Sequence, residues 1–250
     1  MTGILKTVAH RPWPIPQRPW IISFTWHDLL FAHWPVEPLA VRELIPRQLE
    51  LDLFDGRAWV GVTPFRMSGV RLRWLPAVPG TSDFPEVNVR TYVRCGGRAG
   101  VYFFSLDAAS WLACRLARAW YRLPYFHARM SIRSEDDSVR YESVRLEGPR
   151  PAEFRARYRP VSAPRTAQPG SLEHWLTERY CLFTTDLHGR VFPGDIHHLP
   201  WPLQDAEAEI ETNTLASAAG IRLPDAAPLL HFAKKLDVVV WRPERLLVRD

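Results

Sequence analysis

The stretch Phe84 to Met130, FPEVNVRTYVRCGGRAGVYFFSLDAASWLACRLARAWYRLPYFHARM, constrains the fold more than any other part of the chain. It reads as strand, tight turn, strand, helix, strand. Over Phe84–Arg94 the side chains alternate. Glu86, Asn88, Arg90, Tyr92 and Arg94 fall on one face, and Val87, Val89, Thr91 and Val93 on the other. A strand carrying Glu, Asn and Arg on one face borders either open water or an enclosed polar cavity. Gly96-Gly97 makes the hairpin turn, and Val101–Leu106 is apolar on both faces, as a central strand is. Asp107 is expected to cap the next helix, in which Leu112, Leu116, Trp120 and Leu123 follow at helical spacing. Pro124 ends that helix, and Tyr125–Arg133 returns as a strand.

Proline sets the style of the remainder. With 23 Pro in 250 residues, long helices and wide central sheets are disfavoured, and many short strands between firm turns fit better than a helical bundle. A hydrophobic fraction of 46% supports a packed core. The net charge of +5 comes from scattered arginines, since the only lysines are Lys6, Lys234 and Lys235. Scattered basic charge is a solvated surface rather than a nucleic-acid footprint, so no nucleic-acid partner is expected. Cys95, Cys114 and Cys181 are odd in number and lack CxxC spacing, which argues for reduced thiols in a cytoplasmic protein. No run approaches a membrane span, and the N-terminus lacks an apolar signal region, so a soluble chain with no membrane partner is expected.

Residues 1–20 carry HRPWPIPQRPW and no periodicity, and read as an extended arm over the domain or a neighbouring subunit. A single domain is expected over 21–250. Trp26–Val36 reads as a buried strand containing His27 and His33. A helix starts near Pro38, with Leu39, Val41, Leu44 and Ile45 as its apolar stripe, and Pro46 stops it. Leu49–Phe54 and Ala58–Met67 are expected strands joined at Asp55-Gly56; Val70–Leu75 stays extended, and Pro76 to Asp83 is a loop. Val139–Leu146 and Phe154–Tyr158 are further strands. Ser171 caps a helix predicted through Tyr180. Cys181–Asp186 and Arg190–Phe192 form a hairpin about His188-Gly189. Ile196–Leu203 is extended, Ala206–Glu211 a strand, Thr212–Ala219 a short helix ended by Gly220, and Leu236–Trp241 a closing strand. The sum is an α+β fold, mainly antiparallel β, with a curled sheet and a few short helices.

Six segments carry a family resemblance: VRELIPRQLELD (41–52), AWVGVTPFRM (58–67), FPEVNVRTYV (84–93), GVYFFSLDAASWLACRLAR (100–118), LPYFHA (123–128) and LTERYCLFT (176–184). In these the chain resembles the acetoacetate decarboxylase superfamily, and more closely its YqjF-like bacterial branch of unknown function. The resemblance implies a β-cone or partly open barrel around a small cavity, often assembled as a homo-oligomer. The decarboxylases form a Schiff base through one of two adjacent lysines in a segment resembling Phe-Pro-Lys-Lys. Here the matching segment is Leu123-Pro124-Tyr125-Phe126, so Tyr125 and Phe126 stand where both lysines would be. A phenol and a phenyl ring cannot form an imine, which excludes Schiff-base decarboxylation at that position. The cavity glutamate of the family is matched by Glu86. The cationic group that holds the substrate carboxylate falls near Trp26-His27.

The candidate site follows from residue chemistry and this resemblance together. Glu86 is a candidate acid or base with a pKa raised by burial; the alternative is a strand carboxylate paired with Arg90 or another arginine. Tyr125 and His127 alternate onto one face, so both are expected to line the cavity, His127 as a proton-exchanging group, unless they are satisfied core residues. Arg90 is expected in the lining. Arg118 either anchors a ligand carboxylate or pins the helix to the sheet. His197 and His198, adjacent on a strand, point to opposite faces and cannot chelate one ion, so no metal is expected; one of them, His198 in the reading adopted, faces the cavity with Trp201. Lys234 and Lys235 are expected to face solvent rather than to supply a migrated Schiff-base amine. Glu178, Arg179 and Tyr180 read as a packing and ion-pair node. No cofactor is implied. The expected ligand is a small anionic or carbonyl-bearing metabolite, handled by acid/base lyase, hydratase or isomerase chemistry. The alternatives are a non-catalytic binding or sensing domain, or a structural oligomer.

Overall fold

The computed structural model describes residues 3–77, 82–186 and 188–244. The middle of the expected loop Pro76–Asp83, residues 78–81, lies outside them. Twelve strands form the sheet: β1 (Ile22–Val36), β2 (Glu50–Leu51), β3 (Ala58–Leu72), β4 (Phe84–Cys95), β5 (Arg98–Ala108), β6 (Tyr125–Glu135), β7 (Ser138–Arg145), β8 (Glu153–Pro160), β9 (Cys181–Thr185), β10 (Val191–His197), β11 (Gln204–Asn213) and β12 (Leu229–Val240). Four short helices accompany it: α1 (Pro38–Arg42), α2 (Trp111–Tyr121), α3 (Leu172–Thr177) and α4 (Leu215–Ala218).

The strand order is β10-β9-β5-β6-β7-β8-β11-β12-β1-β3-β4-β2, and two further pairings, β4 with β5 and β10 with β12, turn the sheet back on itself. The strands therefore run in a closed circuit from β4 through β5 and round to β1 and β3. All ladders are antiparallel except β5 with β6 and β5 with β9. A closed circuit leaves few free edges and divides the interior into packed and hollow parts.

The alternation in β4 drives that division. Val87 and Val89 pack into the main core with Leu30, Val60, Tyr141 and Phe154. Glu86, Asn88 and Arg90 turn to the opposite side, into a cavity. The hairpin to β5 uses Gly96 (φ 58°) and Gly97 (φ 75°), a left-handed pair that L side chains adopt only at a cost. Burial of the aliphatic face stabilises β4 by roughly 25 cal/mol per Å² of apolar surface removed from water.

The N-terminal residues lie over their own chain. Ile4, in a 3-10 turn, is buried with Trp20, Val239 and Trp241. Arg11 donates from Nη1 to the Ile196 carbonyl at 2.6 Å and faces Asp195 at 3.6 Å.

Several expectations are corrected. Asp107 does not cap α2: it lies within β5, and Ser110 Oγ accepts from Ala113 N–H instead. The physical reason is that β5 continues to Ala108, which leaves Asp107 inside the sheet, where Arg145 holds its carboxylate at 2.6 and 2.8 Å. Only β2 survives of the strand expected over Leu49–Phe54, and it pairs with β4 rather than β3. Asp52 N–H bonds the Tyr92 carbonyl at 3.0 Å, and Arg94 and Arg179 hold its carboxylate, so this segment follows β4. The turn at Asp55 (φ 48°) and Gly56 (φ 74°) forms as expected. Of the α1 stripe, Val41 and Ile45 are buried while Leu39 and Leu44 are exposed. α3 stops at Thr177, short of Tyr180, because Arg179 turns its N–H back to the Thr177 carbonyl at 2.9 Å. β12 begins at Leu229, seven residues before the expected start, so Lys234 and Lys235 lie within the strand.

Candidate functional site

The cavity has a volume of about 350 Å³ and takes its walls from β1, β3, β4, β5 and α2, together with residues beyond α3 and β10. Its polar side is β4. Glu86 is buried, and Tyr125, the first residue of β6, donates its hydroxyl proton to Glu86 Oε2 at 2.8 Å. The parallel pairing of Leu106 with Tyr125 positions this contact by setting the start of β6 beside β5. Burial raises the Glu86 pKa to about 8; the Tyr125 hydroxyl opposes that rise, and the Asp107 charge adds to it. At neutral pH the carboxyl is therefore mainly protonated and can donate a proton. Burial also drives the Tyr125 phenol well above its usual range, reinforced by the Glu86 charge, so the phenol stays a donor.

Two arginines face the same space. Arg90 rests its guanidinium over Phe31 at 5.2 Å, and its buried Nε has no hydrogen-bond partner. Arg179 is held by Asp52 Oδ2 and the Trp175 carbonyl, both at 2.6 Å, while its buried Nη2 has no partner. Among the described residues no arginine forms an ion pair with Glu86, whose carboxyl accepts from Tyr125. The paired-carboxylate alternative is thus not the arrangement found. Further unpartnered polar atoms in the lining are Thr63 Oγ1, Asn88 Oδ1, Tyr121 OH and Trp201 Nε1. These six atoms have no protein partner and give the cavity its polar side.

Of the residues singled out in the sequence, Glu86, Arg90, Tyr125 and His198 line this cavity, whereas His127 and Arg118 do not. At His127 the strand has left the cavity wall. Its N–H bonds Glu147 at 2.7 Å and its carbonyl accepts from Leu146 N–H at 2.9 Å. Arg118 ties α2 to β6: Nε donates to the Tyr125 carbonyl at 2.8 Å, and Nη2 pairs with Glu147. That is the pinning role. His198 stacks on Tyr180 at 4.7 Å beside Trp26 and Trp201, with burial lowering its pKa; His197 turns away, to Ile4 and His10. Of the three lysines, none lines the cavity; Lys234 pairs with Asp28 at 2.5 Å.

Arg179 is the residue that sequence reasoning placed in a packing node and the structure also places at the cavity. What brings it to the wall is its pairing with Asp52, 127 residues away, and the sequence holds no local signal of that contact. Thr63 and the α2 residues Leu112, Leu116 and Trp120 carry no comparable signal. Elsewhere, donor atoms of Glu173, Asp205 and His231 lie within 4.8 Å of one another. The Arg165 guanidinium sits there, 2.7 Å from Glu173 and 2.8 Å from Asp205, and supplies the cation. The three cysteines are free, and no helix among the described residues is long and apolar enough to cross a membrane.

Comparison with known proteins agrees with this geometry at the level of fold. The chain superposes on acetoacetate decarboxylase from Legionella pneumophila with a TM-score of 0.60 at 15% identity, covering 95% of this chain and 93% of that one. The enduracididine biosynthesis enzyme MppR, solved with the condensation product of pyruvate and imidazole 4-carboxaldehyde, gives a TM-score of 0.60 at 13% identity, covering 91% and 90%. The expected acetoacetate-decarboxylase-like fold is therefore present. In sequence, the chain is 50% identical over 227 residues to the uncharacterized protein YqjF of Bacillus subtilis (strain 168), covering 91% of this chain and 93% of that protein. The family model described as DUF2071, uncharacterized conserved protein, matches residues 23–237, and the chain belongs to that family.

Proposed function

We propose that this cavity binds a small metabolite carrying a carboxylate or carbonyl, and that Glu86 delivers a proton to it. The observation that carries this reading is the neutral Glu86, held by Tyr125, beside the unpartnered nitrogens of Arg90 and Arg179. With Glu86 protonated, the guanidinium charge of Arg90 faces the cavity uncompensated, which favours an anion. Charge-assisted hydrogen bonds from planar arginines suit a carboxylate, and a protonated carboxyl in the same cavity suits general-acid protonation of an enolate at the carbon next to the carbonyl. The same residue, once deprotonated, takes a proton in the reverse direction. This is lyase, hydratase or isomerase chemistry without an imine, since the described lining residues include no lysine.

Binding without turnover is the second reading. It is supported by the replacement of the lysine pair by Tyr125 and Phe126, which removes the parent chemistry while leaving a polar cavity. One experiment separates the two. Small oxo acids are titrated by calorimetry, and exchange of their α-hydrogens with deuterated water is followed by NMR. Exchange above the buffer rate that is lost in Glu86→Gln supports proton transfer. Saturable binding without exchange leaves the binding reading. If no small acid binds, or if Arg90→Gln binds as the wild type does, the cavity reading is wrong.

A further inference from the structure

We infer that the ligand is amphipathic: an acidic head held at Arg90 and Arg179, and an apolar tail running along α2 to the cavity mouth. This rests on the reading of the cavity as a site for a small acid, and extends it to a class of substrate. The register of β3 sets Thr63 and Phe65 beside Asn88 and Glu86 and runs on through Val70 to Leu72, which pairs with Ile22, so the lining continues away from the polar face of β4 into an apolar part that includes Ile22, Phe24, Val70, Leu112, Leu116 and Trp120. Two of the polar residues at that end are engaged elsewhere, while the Tyr121 hydroxyl at the end of α2 has no partner. Ser110 caps α2, and the Arg71 guanidinium lies 5.6 Å from the Trp20 ring.

Size supports a tail. About 350 Å³ lies within the roughly 300–1,000 Å³ range of pockets that bury drug-sized molecules, and a three- or four-carbon oxo acid fills a small part of it. The exposure of α2 supports it independently. Leu112, Leu116 and Trp120 are 47%, 40% and 54% exposed although they line the cavity, so the helix presents apolar surface to the mouth instead of burying it in a core. A head-group ligand alone leaves that surface wet. A tail lying along it removes apolar area from water on both sides, and each buried methylene tightens binding about fourfold.

The test is a homologous series of straight-chain 2-oxo acids, from four to ten carbons, titrated into the full chain by calorimetry. Affinity is expected to rise about fourfold per methylene until the mouth is filled. Leu116→Ser and Trp120→Ser, at exposed helix positions that the fold tolerates, are expected to reduce the gain per methylene. Arg90→Gln is expected to weaken every homologue by a similar factor. If short acids bind and added methylenes change nothing, the tail inference fails while the acid-binding reading stands. If no homologue binds, both fail. If Leu116→Ser shifts the sedimentation of the protein and leaves the chain-length dependence intact, α2 is a contact between copies and the inference is overturned.

Discussion

Tyr125 donates its hydroxyl proton to Glu86 Oε2 at 2.8 Å, and both residues line the cavity. The contact joins the first residue of β6 to the polar face of β4. A lysine there would pair with an ionised glutamate. A phenol leaves the glutamate neutral at pH 7, because the hydrogen bonds from Tyr125 and Asn88 offset only part of the cost of burying its charge.

The first prediction concerns pH. Glu86 holds its proton up to about pH 8 when folded, against 4.5 for the unexceptional carboxyl. Between those values the folded chain binds one more proton than the unfolded chain, so stability falls as pH rises, by roughly 1.4 kcal/mol per unit from this group. Below pH 4.5 both states are protonated, and above 8 both are ionised, so the slope vanishes outside the window. Glu86→Gln is neutral throughout. Urea unfolding is expected to show the variant gaining on the wild type between about pH 5 and 8. A parallel pH dependence in both proteins would rule out a neutral Glu86.

Tyr125→Phe removes the donor that favours the charged form of Glu86, and so is expected to raise the Glu86 pKa further. The infrared band of the protonated carboxyl reports this directly, by persisting to higher pH in the variant. Leaving Glu86 Oε2 buried without its donor costs about 1–3 kcal/mol of stability. A Glu86 titration that moves down instead would mean that another group controls its charge.

Borohydride reduction in the presence of an oxo acid is expected to leave the protein mass unchanged. Lys234 is 70% exposed at its side chain and paired with Asp28, Lys235 is exposed, and neither amine reaches the lining. A reduced adduct on Lys235, competed by cavity ligands, would overturn the imine-free chemistry.

The sequence carried the local part of this arrangement and not the tertiary part. A period of two is a property of the strand itself, so the grouping of Glu86, Asn88 and Arg90 on one face could be read from the order of residues. The same rule failed two residues along β6. Tyr125 faces the cavity but His127 does not, because the wall ends where the strand departs toward its hairpin. The stripe Leu112, Leu116 and Trp120 was legible as helical, yet its destination depends on what the fold leaves uncovered. Asp107 and Ser110 are both good cap formers. Only the length of β5 decides between them.

That decision leaves Asp107 with Arg145 in a buried bidentate pair, and the last prediction tests what the pair is worth. The Asp107 side chain is fully buried and that of Arg145 nearly so, with the guanidinium also stacked 4.0 Å from the Phe126 ring. Burial pushes the Asp107 pKa up and Arg145 pulls it back. Arg145→Met deletes the charge but keeps apolar bulk over Phe126, so it isolates the stranded carboxylate. Breaking a buried pair from one side costs about 3–5 kcal/mol, whereas replacing both members often costs much less. In urea unfolding at pH 7, Arg145→Met is expected to lose about that amount, and Asp107→Val/Arg145→Met clearly less. Acidification should then rescue the single variant, because protonating Asp107 removes the stranded charge, and leave the double variant unmoved. Additive losses at pH 7 would mean that the two side chains contribute through packing alone.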